Sequence, residues 1–152
     1  MRTLTVKKTA KERDQDAAGF FQKAFHRKLK SEMDVIELSK QGVTKGSLIY
    51  LGQCFEFTPE KLARLLPVTL RTIQRYKTDQ KFSPTVSEHI IQLARIMVKG
   101  AEVFESRDNF MRWFNTPNVA LGGKIPSELV TLQTGVQLVM DELVRIDYGV
   151  FA

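Results

Sequence analysis

The chain has 152 residues, a mass of 17.4 kDa and 43% hydrophobic residues, which suffices for one compact core and excludes a large multidomain assembly. The single cysteine, Cys54, excludes an intrachain disulfide, and no apolar run reaches the ~20 residues that span a bilayer. These features predict a cytoplasmic protein without a membrane partner.

Positive charge is concentrated in the first half of the chain. Residues 1–77 contain 16 lysines and arginines against 8 aspartates and glutamates, whereas residues 78–152 contain 7 against 9. A basic half of this kind favours a polyanionic partner. The alternative is a solvated basic surface without a specific partner.

Residues 1–41 are predicted to form a basic arm that ends in an amphipathic helix. Residues 1–18 are polar and lack a sustained period, which favours a flexible arm. Apolar residues then recur at helical spacing between lysines and arginines, namely Phe20, Phe21, Ala24, Phe25 and Leu29. Core packing, contact with a dimer partner and membrane-surface binding are alternative roles for this helix, and nearby acidic residues weaken the third.

The middle segment, residues 42–105, is rich in helix start signals and lacks the alternation typical of strands. Thr58-Pro59 and Ser83-Pro84 each place a capping residue before a proline at the first helical position. The second pair leads into a long helix with apolar periodicity. The sequence therefore predicts an all-α fold.

A helix-turn-helix pattern lies within the basic half of the chain. T-P-E-K-L-A-R-L-L is followed by Pro67-Val68 and then by T-L-R-T-I-Q-R-Y-K, whose helix is predicted to open at Thr69. Leu70, Ile73 and Tyr76 are expected to pack inward. The residues left to contact duplex DNA are Thr69, Arg71, Thr72, Gln74, Arg75 and Lys77. Arginine can read guanine, glutamine can read adenine, and threonine or lysine can hold phosphates. An ordinary amphipathic helix with a charged outer face is the alternative.

The third segment, residues 106–152, begins with an aromatic helix. Ser106 can cap it, and Phe110, Trp113 and Phe114 follow at i, i+3 and i+4, a spacing that also suits an ordinary core. The string P-N-V-A-L-G-G-K-I-P comes next, in which Leu121-Gly122-Gly123 predicts a chain reversal.

Two further helices are predicted before the end of the chain. Pro126 can open a short helix, and Thr134 with Gln137 fits a capping box for the last helix, which is expected to end at a C-cap at Gly149. The final residues, Y-G-V-F-A, form an apolar tip. Such a tip is expected to dock, either on a partner or back on the chain's own core.

The sequence offers no catalytic or metal-binding constellation. His26 and His89 are far apart and lack cysteines or acidic residues at metal-ligand spacing. Gly123-Lys124 lacks the glycine spacing and the serine or threonine of a phosphate-binding loop. Asp141-Glu142 is better explained as a solvated helix face than as a catalytic pair. We therefore expect a binding protein without a cofactor or metal, and not an enzyme.

Six motifs occur together in the second and third segments. They are L-R-T-I-Q-R-Y (residues 70–76), S-P (83–84), R-W-F (112–114), P-N-V-A-L-G-G-K-I-P (117–126), T-L-Q-T-G (131–135) and L-V-R-I-D-Y-G-V-F-A (143–152). Together they resemble the antitoxins of RES-Xre toxin-antitoxin pairs, in which an Xre-like helix-turn-helix precedes a ParS-type toxin-binding domain. The resemblance covers roughly residues 42–152.

This resemblance implies a type II antitoxin with a helix-turn-helix domain over residues 42–105 and a toxin-binding domain over residues 106–152. The expected partners are a cognate RES-type toxin that consumes NAD, and operator DNA through which the pair regulates its operon, with the chain acting as a homodimer or within a larger complex with the toxin. The implied toxin contacts are Trp113, Leu121, Gly122, Gly123, Tyr148, Gly149, Val150, Phe151 and Ala152. In the same picture the apolar tip occludes the NAD site of the toxin.

Two alternatives stay open. The helix-turn-helix of family members can be degenerate and serve dimerisation. The chain as a whole could instead be a stand-alone transcriptional regulator whose C-terminal domain dimerises or senses a ligand.

Overall fold

The computed structural model describes residues 8–149, and over that range the chain forms helices and no strands. The α-helices are α1 (Ala10–Phe25), α2 (Glu32–Gln41), α3 (Lys45–Cys54), α4 (Pro59–Leu65), α5 (Leu70–Arg75), α6 (Pro84–Phe104), α7 (Arg107–Phe114), α8 (Pro126–Leu129) and α9 (Gln133–Gly149), with a 3-10 helix (Val119–Leu121) between α7 and α8. The predicted all-α class is confirmed. None of the described helices is both long and apolar enough to cross a membrane.

Local capping signals set the start of several helices as predicted. The side chains of Thr58, Ser83 and Ser106 accept hydrogen bonds from backbone N–H groups in the first turns of α4, α6 and α7. Pro126 is the first residue of α8. Each of these helices therefore begins where a short sequence signal satisfies its otherwise unpaired N–H groups.

The helix α6 lies at the centre of the molecule and packs against α2, α7 and α9. One face is fully buried and carries Ile90, Ile91, Leu93, Ala94, Ile96 and Met97. The hydrophobic core is continuous from α1 to α9. Both halves of the sequence thus pack on the same long helix.

The prediction of a flexible arm over residues 1–18 is wrong for residues 10–18, which form the first turns of α1. Thr9 and Glu12 form a capping box at its start. Arg13 then donates to the Asp147 carboxylate at 3.0 Å, and Lys99 donates to the same carboxylate at 3.0 Å. This ion triad joins α1, α6 and α9, and anchors a segment whose composition alone is typical of a solvated arm.

Burial by itself raises the pKa of Asp147, but the hydrogen bonds from Lys99 and Arg13 outweigh it and hold that pKa below its usual value. The ion triad is therefore charged at neutral pH. A carboxylate with a lowered pKa stabilises the fold above its unfolded-state pKa and loses that contribution as the pH falls.

The predicted amphipathic helix is also shorter than expected at its C-terminal end. The helix α1 ends at Phe25, and His26 follows with a left-handed φ of 59°. Leu29 therefore lies in the connection to α2, although it still packs against the core. The buried face consists of Phe21, Ala24 and Phe25, so core packing accounts for the apolar face of this helix.

The predicted capping box at the start of the last helix is wrong. The helix α9 begins at Gln133, so Thr134 lies inside it, and the Gln137 side chain donates to Asp141 at 2.8 Å instead of reaching back to a cap. Gly135 is buried against the backbone of Leu129. The close contact between Gly135 and the end of α8 therefore fixes where α9 begins. Gly149 is helical up to the end of the described residues, so its role as a C-cap is not defined.

The expected solvated pair Asp141-Glu142 is correct only for Asp141. Glu142 is 7% exposed, and Arg145 donates to its carboxylate from two nitrogens at 2.8 and 2.5 Å. An arginine one turn away makes burial of this carboxylate possible, because a bidentate pair compensates its lost hydration.

Candidate functional sites

The helix-turn-helix predicted from the sequence is present in α4 and α5. Thr69 caps α5 by accepting from the backbone N–H of Thr72, so the second helix opens where expected. Ile73 is 1% exposed, whereas Leu70 and Tyr76 are half-buried. Tyr76 stacks on Phe82 with ring centroids 4.9 Å apart. Ile73 and Tyr76 therefore pack on the core as predicted, while Leu70 is only half-buried.

The residues predicted to contact DNA lie together on α5 and its two ends. Thr69, Arg71, Gln74, Arg75 and Lys77 are exposed, while Thr72 is half-buried and accepts from the Thr69 hydroxyl at 2.9 Å. None of the ion pairs found among residues 8–149 involves Arg71, Arg75 or Lys77. These three cations are thus available to a ligand.

Lys45, at the start of α3, is a residue of this site that sequence reasoning missed. Its Nζ donates to the backbone carbonyls of Tyr76 at 2.8 Å and Gln74 at 3.4 Å. A cation at the C-terminal end of a helix satisfies unpaired carbonyls and interacts favourably with the helix dipole. Lys45 therefore fixes the end of α5. Because Lys45 is about 30 residues from the end of α5 in the sequence, no local pattern predicts this role.

The aromatic helix α7 contributes mainly to the core. Phe110 and Phe114 are 0% and 1% exposed. Trp113 is half-buried, with its ring centroid 5.5 Å from that of Phe104 and 6.1 Å from that of Phe110. Trp113 thus supports the core and keeps one part of its surface accessible.

The glycine turn between α7 and α8 is organised by Asn118. Its backbone N–H donates to the carbonyl of Lys124 at 3.0 Å, its carbonyl accepts from Gly123 at 2.9 Å, and its side chain accepts from Ala120 at 2.8 Å. Gly122 and Gly123 adopt φ of 68° and 76°, which favours glycine. Both glycines are exposed and Leu121 is half-buried against the core. The turn is an exposed element held together by hydrogen bonds to Asn118.

An exposed stripe runs along α9, formed by Thr134, Leu138, Asp141, Arg145 and Tyr148 at helical spacing. Leu138 and Tyr148 are 49% and 75% exposed, and the 3-10 helix that packs against α9 carries Val119 at 94% exposure. Exposed large apolar side chains on this part of the chain make it a candidate protein-binding surface. Of these residues, only Tyr148 was predicted from the sequence to contact a toxin.

The C-terminal part of the predicted toxin contact is described only in part. Gly149 is exposed. Val150, Phe151 and Ala152 lie outside the described residues, so their predicted docking stays a prediction.

Two protein-family models match the chain in succession. The antitoxin Xre-like helix-turn-helix domain matches residues 34–95, and the antitoxin Xre/MbcA/ParS C-terminal toxin-binding domain matches residues 99–149. The chain thus carries, in succession, the two domains that characterise the Xre antitoxins. The resemblance seen in the motifs is thereby confirmed, and the family consists of antitoxins, not enzymes.

Two relatives named Antitoxin Xre are similar to the chain. The protein from Yersinia enterocolitica is 30% identical over 94 residues, which cover 60% of this chain and 64% of that protein. The protein from Pseudomonas putida is 25% identical over 122 residues, which cover 80% of this chain and 76% of that protein. The chain therefore spans slightly less than two thirds of the Yersinia antitoxin.

The two matched regions meet inside α6, between residues 95 and 99. The first of them starts within α2, upstream of the predicted domain boundary at residue 42. The predicted boundaries at residues 42 and 106 stay predictions.

Proposed function

We propose that the chain is the antitoxin of a type II pair that binds and neutralises a RES-type, NAD-consuming toxin through its C-terminal domain. The observation that carries this proposal is the match of residues 99–149 to a toxin-binding domain on the segment that presents the α9 stripe. A stand-alone regulator has no need of such a domain. The RES class of the partner rests on the motif resemblance alone.

We further propose that the helix-turn-helix binds operator DNA, with the chain acting as a homodimer on an inverted repeat. Arg71 and Arg75 on α5 and Lys77 just after it support this second role, since they are exposed and take part in no ion pair among residues 8–149. Arginine offers two donors to a guanine edge, and lysine holds phosphates. The basic balance of residues 1–77 adds long-range attraction for a polyanion.

The DNA-binding role predicts that Arg71→Ala and Arg75→Ala each weaken binding to the DNA upstream of the operon by about 1 to 3 kcal/mol. For about six phosphate contacts, log K should also fall against log salt with a slope of about −5. Fluorescence anisotropy with a labelled duplex measures both quantities. Arg112→Ala, which removes an exposed arginine from α7, is the matched control and should bind as the wild type does. Unchanged binding by the Arg71/Arg75 double variant would exclude this helix from the DNA interface.

The neutralising role predicts that Tyr148→Ala weakens binding of the purified toxin by about 2 kcal/mol, roughly 30-fold, because an exposed aromatic residue at a protein interface is a typical hot spot. Calorimetry gives the affinity, and NAD consumption by the toxin gives the inhibition. Met33→Ala is the control, since Met33 is 61% exposed on α2, outside the toxin-binding match. Equal affinity of the Tyr148→Ala variant and the wild type would remove the end of α9 from the interface.

A further inference from the structure

A basic hollow with a volume of about 660 Å³ lies between the end of α1, the helix α2 and the start of α3. Its lining includes His26, Arg27 and Lys28 from the connection after α1, and Lys81 from the loop between α5 and α6. His26 and Arg27 precede both family matches, so neither match covers the whole hollow.

The hollow is structurally joined to the recognition helix α5. The loop between α5 and α6 is fastened to the start of α3 by backbone hydrogen bonds from Lys45 to Gln80 at 2.9 Å and from Gly46 to Thr78 at 2.9 Å. The backbone N–H of Phe82 donates to the carbonyl of Val43 at 2.8 Å. Together with the bond from the Lys45 side chain to Tyr76, these contacts hold Lys81 in a fixed position relative to α5.

The hollow has an excess of positive charge. Arg27 is paired with Glu37 at 3.1 Å, and the Asp34 carboxylate accepts from the backbone N–H groups of Lys30 and Ser31. Lys28 and Lys81 are exposed, and neither takes part in an ion pair found among residues 8–149. Lys28 and Lys81 thus bring two exposed ammonium groups to the lining of the hollow.

The start of α3 does not provide the anion-binding groups of this hollow. The backbone N–H groups of its first turn are already bonded to Gln80, Thr78 and the side chain of Thr44. An anion in the hollow must therefore be held by side-chain cations. Lysines without a planar arrangement of donors suit phosphate oxygens and carry no base specificity.

We propose that the basic hollow binds the phosphate backbone of the same duplex that α5 contacts, and so extends the DNA footprint beyond the recognition helix. This inference rests on the proposed DNA-binding function. Duplex DNA is favoured over an acidic protein because the loop that carries Lys81 directly follows the helix-turn-helix and is fastened to the start of α3, and because Arg27 and Lys28 belong to the basic half of the chain.

The test compares the full-length wild type with a Lys28→Gln/Lys81→Gln double variant. Binding is measured over a salt series to the upstream duplex and to a scrambled duplex of equal length. We expect the slope of log K against log salt to become shallower by about 1.8, from ~0.9 for each of two phosphates, with the same fold-loss on both duplexes. A Lys11→Gln/Lys124→Gln variant makes the same charge change at exposed positions away from the hollow and should keep the wild-type slope. Unchanged melting temperatures show that the variants are folded.

A double variant with the wild-type slope and affinity overturns the inference while leaving the DNA-binding function intact. A variant that keeps the slope but loses toxin affinity assigns the hollow to an acidic protein surface and also overturns it. Absence of DNA binding by the wild type itself rejects the proposed DNA-binding function, and the inference with it. Two results together support both the proposed DNA-binding function and the inference. The Arg71→Ala or Arg75→Ala variants should lose base specificity, and the double lysine variant should lose affinity equally for the upstream and the scrambled duplex.

Discussion

Replacement of Gly135 by alanine is expected to destabilise the fold by at least about 3 kcal/mol. A Cβ atom added to Gly135 would lie 1.7 Å from the carbonyl oxygen of Leu129 and 2.5 Å from its carbonyl carbon. Both are backbone atoms, so no change of side-chain rotamer relieves the overlap. The variant can fold only if α8 moves away from α9, and this movement would open the core under Val130 and Val136, which are 0% and 4% exposed.

Urea denaturation gives the change in the free energy of unfolding, and the melting temperature should fall by roughly 6 °C or more at about 2 to 4 °C per kcal/mol. Gly19→Ala is the matched control, because a Cβ at Gly19 would meet no atom within 4 Å and this glycine is exposed inside α1. Alanine there should stabilise the helix by about 0.5 to 1 kcal/mol. A Gly135→Ala variant as stable as the wild type would show that α8 and α9 are not in this contact.

Replacement of Phe110 by alanine is expected to cost about 3 to 5 kcal/mol. The side chain is 0% exposed, and its ring centroid lies 5.3 Å from that of Phe114 and 6.2 Å from that of Phe104. It also occupies the space over Gly100, where an added Cβ would lie 2.1 Å from the ring. Removal of the ring therefore leaves a cavity between α6 and α7 that the rigid helices cannot close.

Urea denaturation measures the free energy of unfolding of this variant. The dependence of that free energy on urea concentration is compared with that of the wild type. Tyr148→Ala serves as the control, since it removes a larger aromatic side chain that is 75% exposed and should change stability by less than about 0.5 kcal/mol. Phe110→Ala is thus expected to lower the stability of the fold, whereas Tyr148→Ala is expected to lower toxin affinity without lowering stability. A loss below about 1 kcal/mol for Phe110→Ala would contradict the packing between α6 and α7.

Features that depend on neighbouring residues were predictable from the sequence. A hydroxyl followed by a proline placed the starts of α4 and α6, because capping and the fixed φ of proline act within one turn. The spacing of Leu70 and Ile73 likewise gave the inward face of α5, and so the exposed face that carries the proposed DNA contacts. Thr9 and Glu12 also form a local signal, a capping box that predicts the start of a helix. The polar composition of residues 1–18 instead favoured a flexible arm.

Features that depend on distant residues were not predictable. Arg13 and Asp147 are 134 positions apart, and their ion pair is what holds the start of α1 on the core. Lys45 reaches the end of α5 across 31 positions. Sequence reasoning also did not name Leu138, although helical spacing alone places it opposite the buried Val136 and Leu143 on α9. The sequence therefore predicted only part of the candidate protein-binding surface on α9.

The helix α6 determines how the two matched regions are oriented relative to each other. The helix-turn-helix match ends at residue 95 and the toxin-binding match begins at residue 99, with α-helix throughout. An α-helix advances ~1.5 Å and rotates by about 100° with each residue. The number of residues in α6 therefore sets the angle, viewed down the helix axis, between the toxin-binding region and the helix-turn-helix. One inserted residue would turn one region against the other by about 100°, which the shared core and the ion triad of Arg13, Lys99 and Asp147 would oppose.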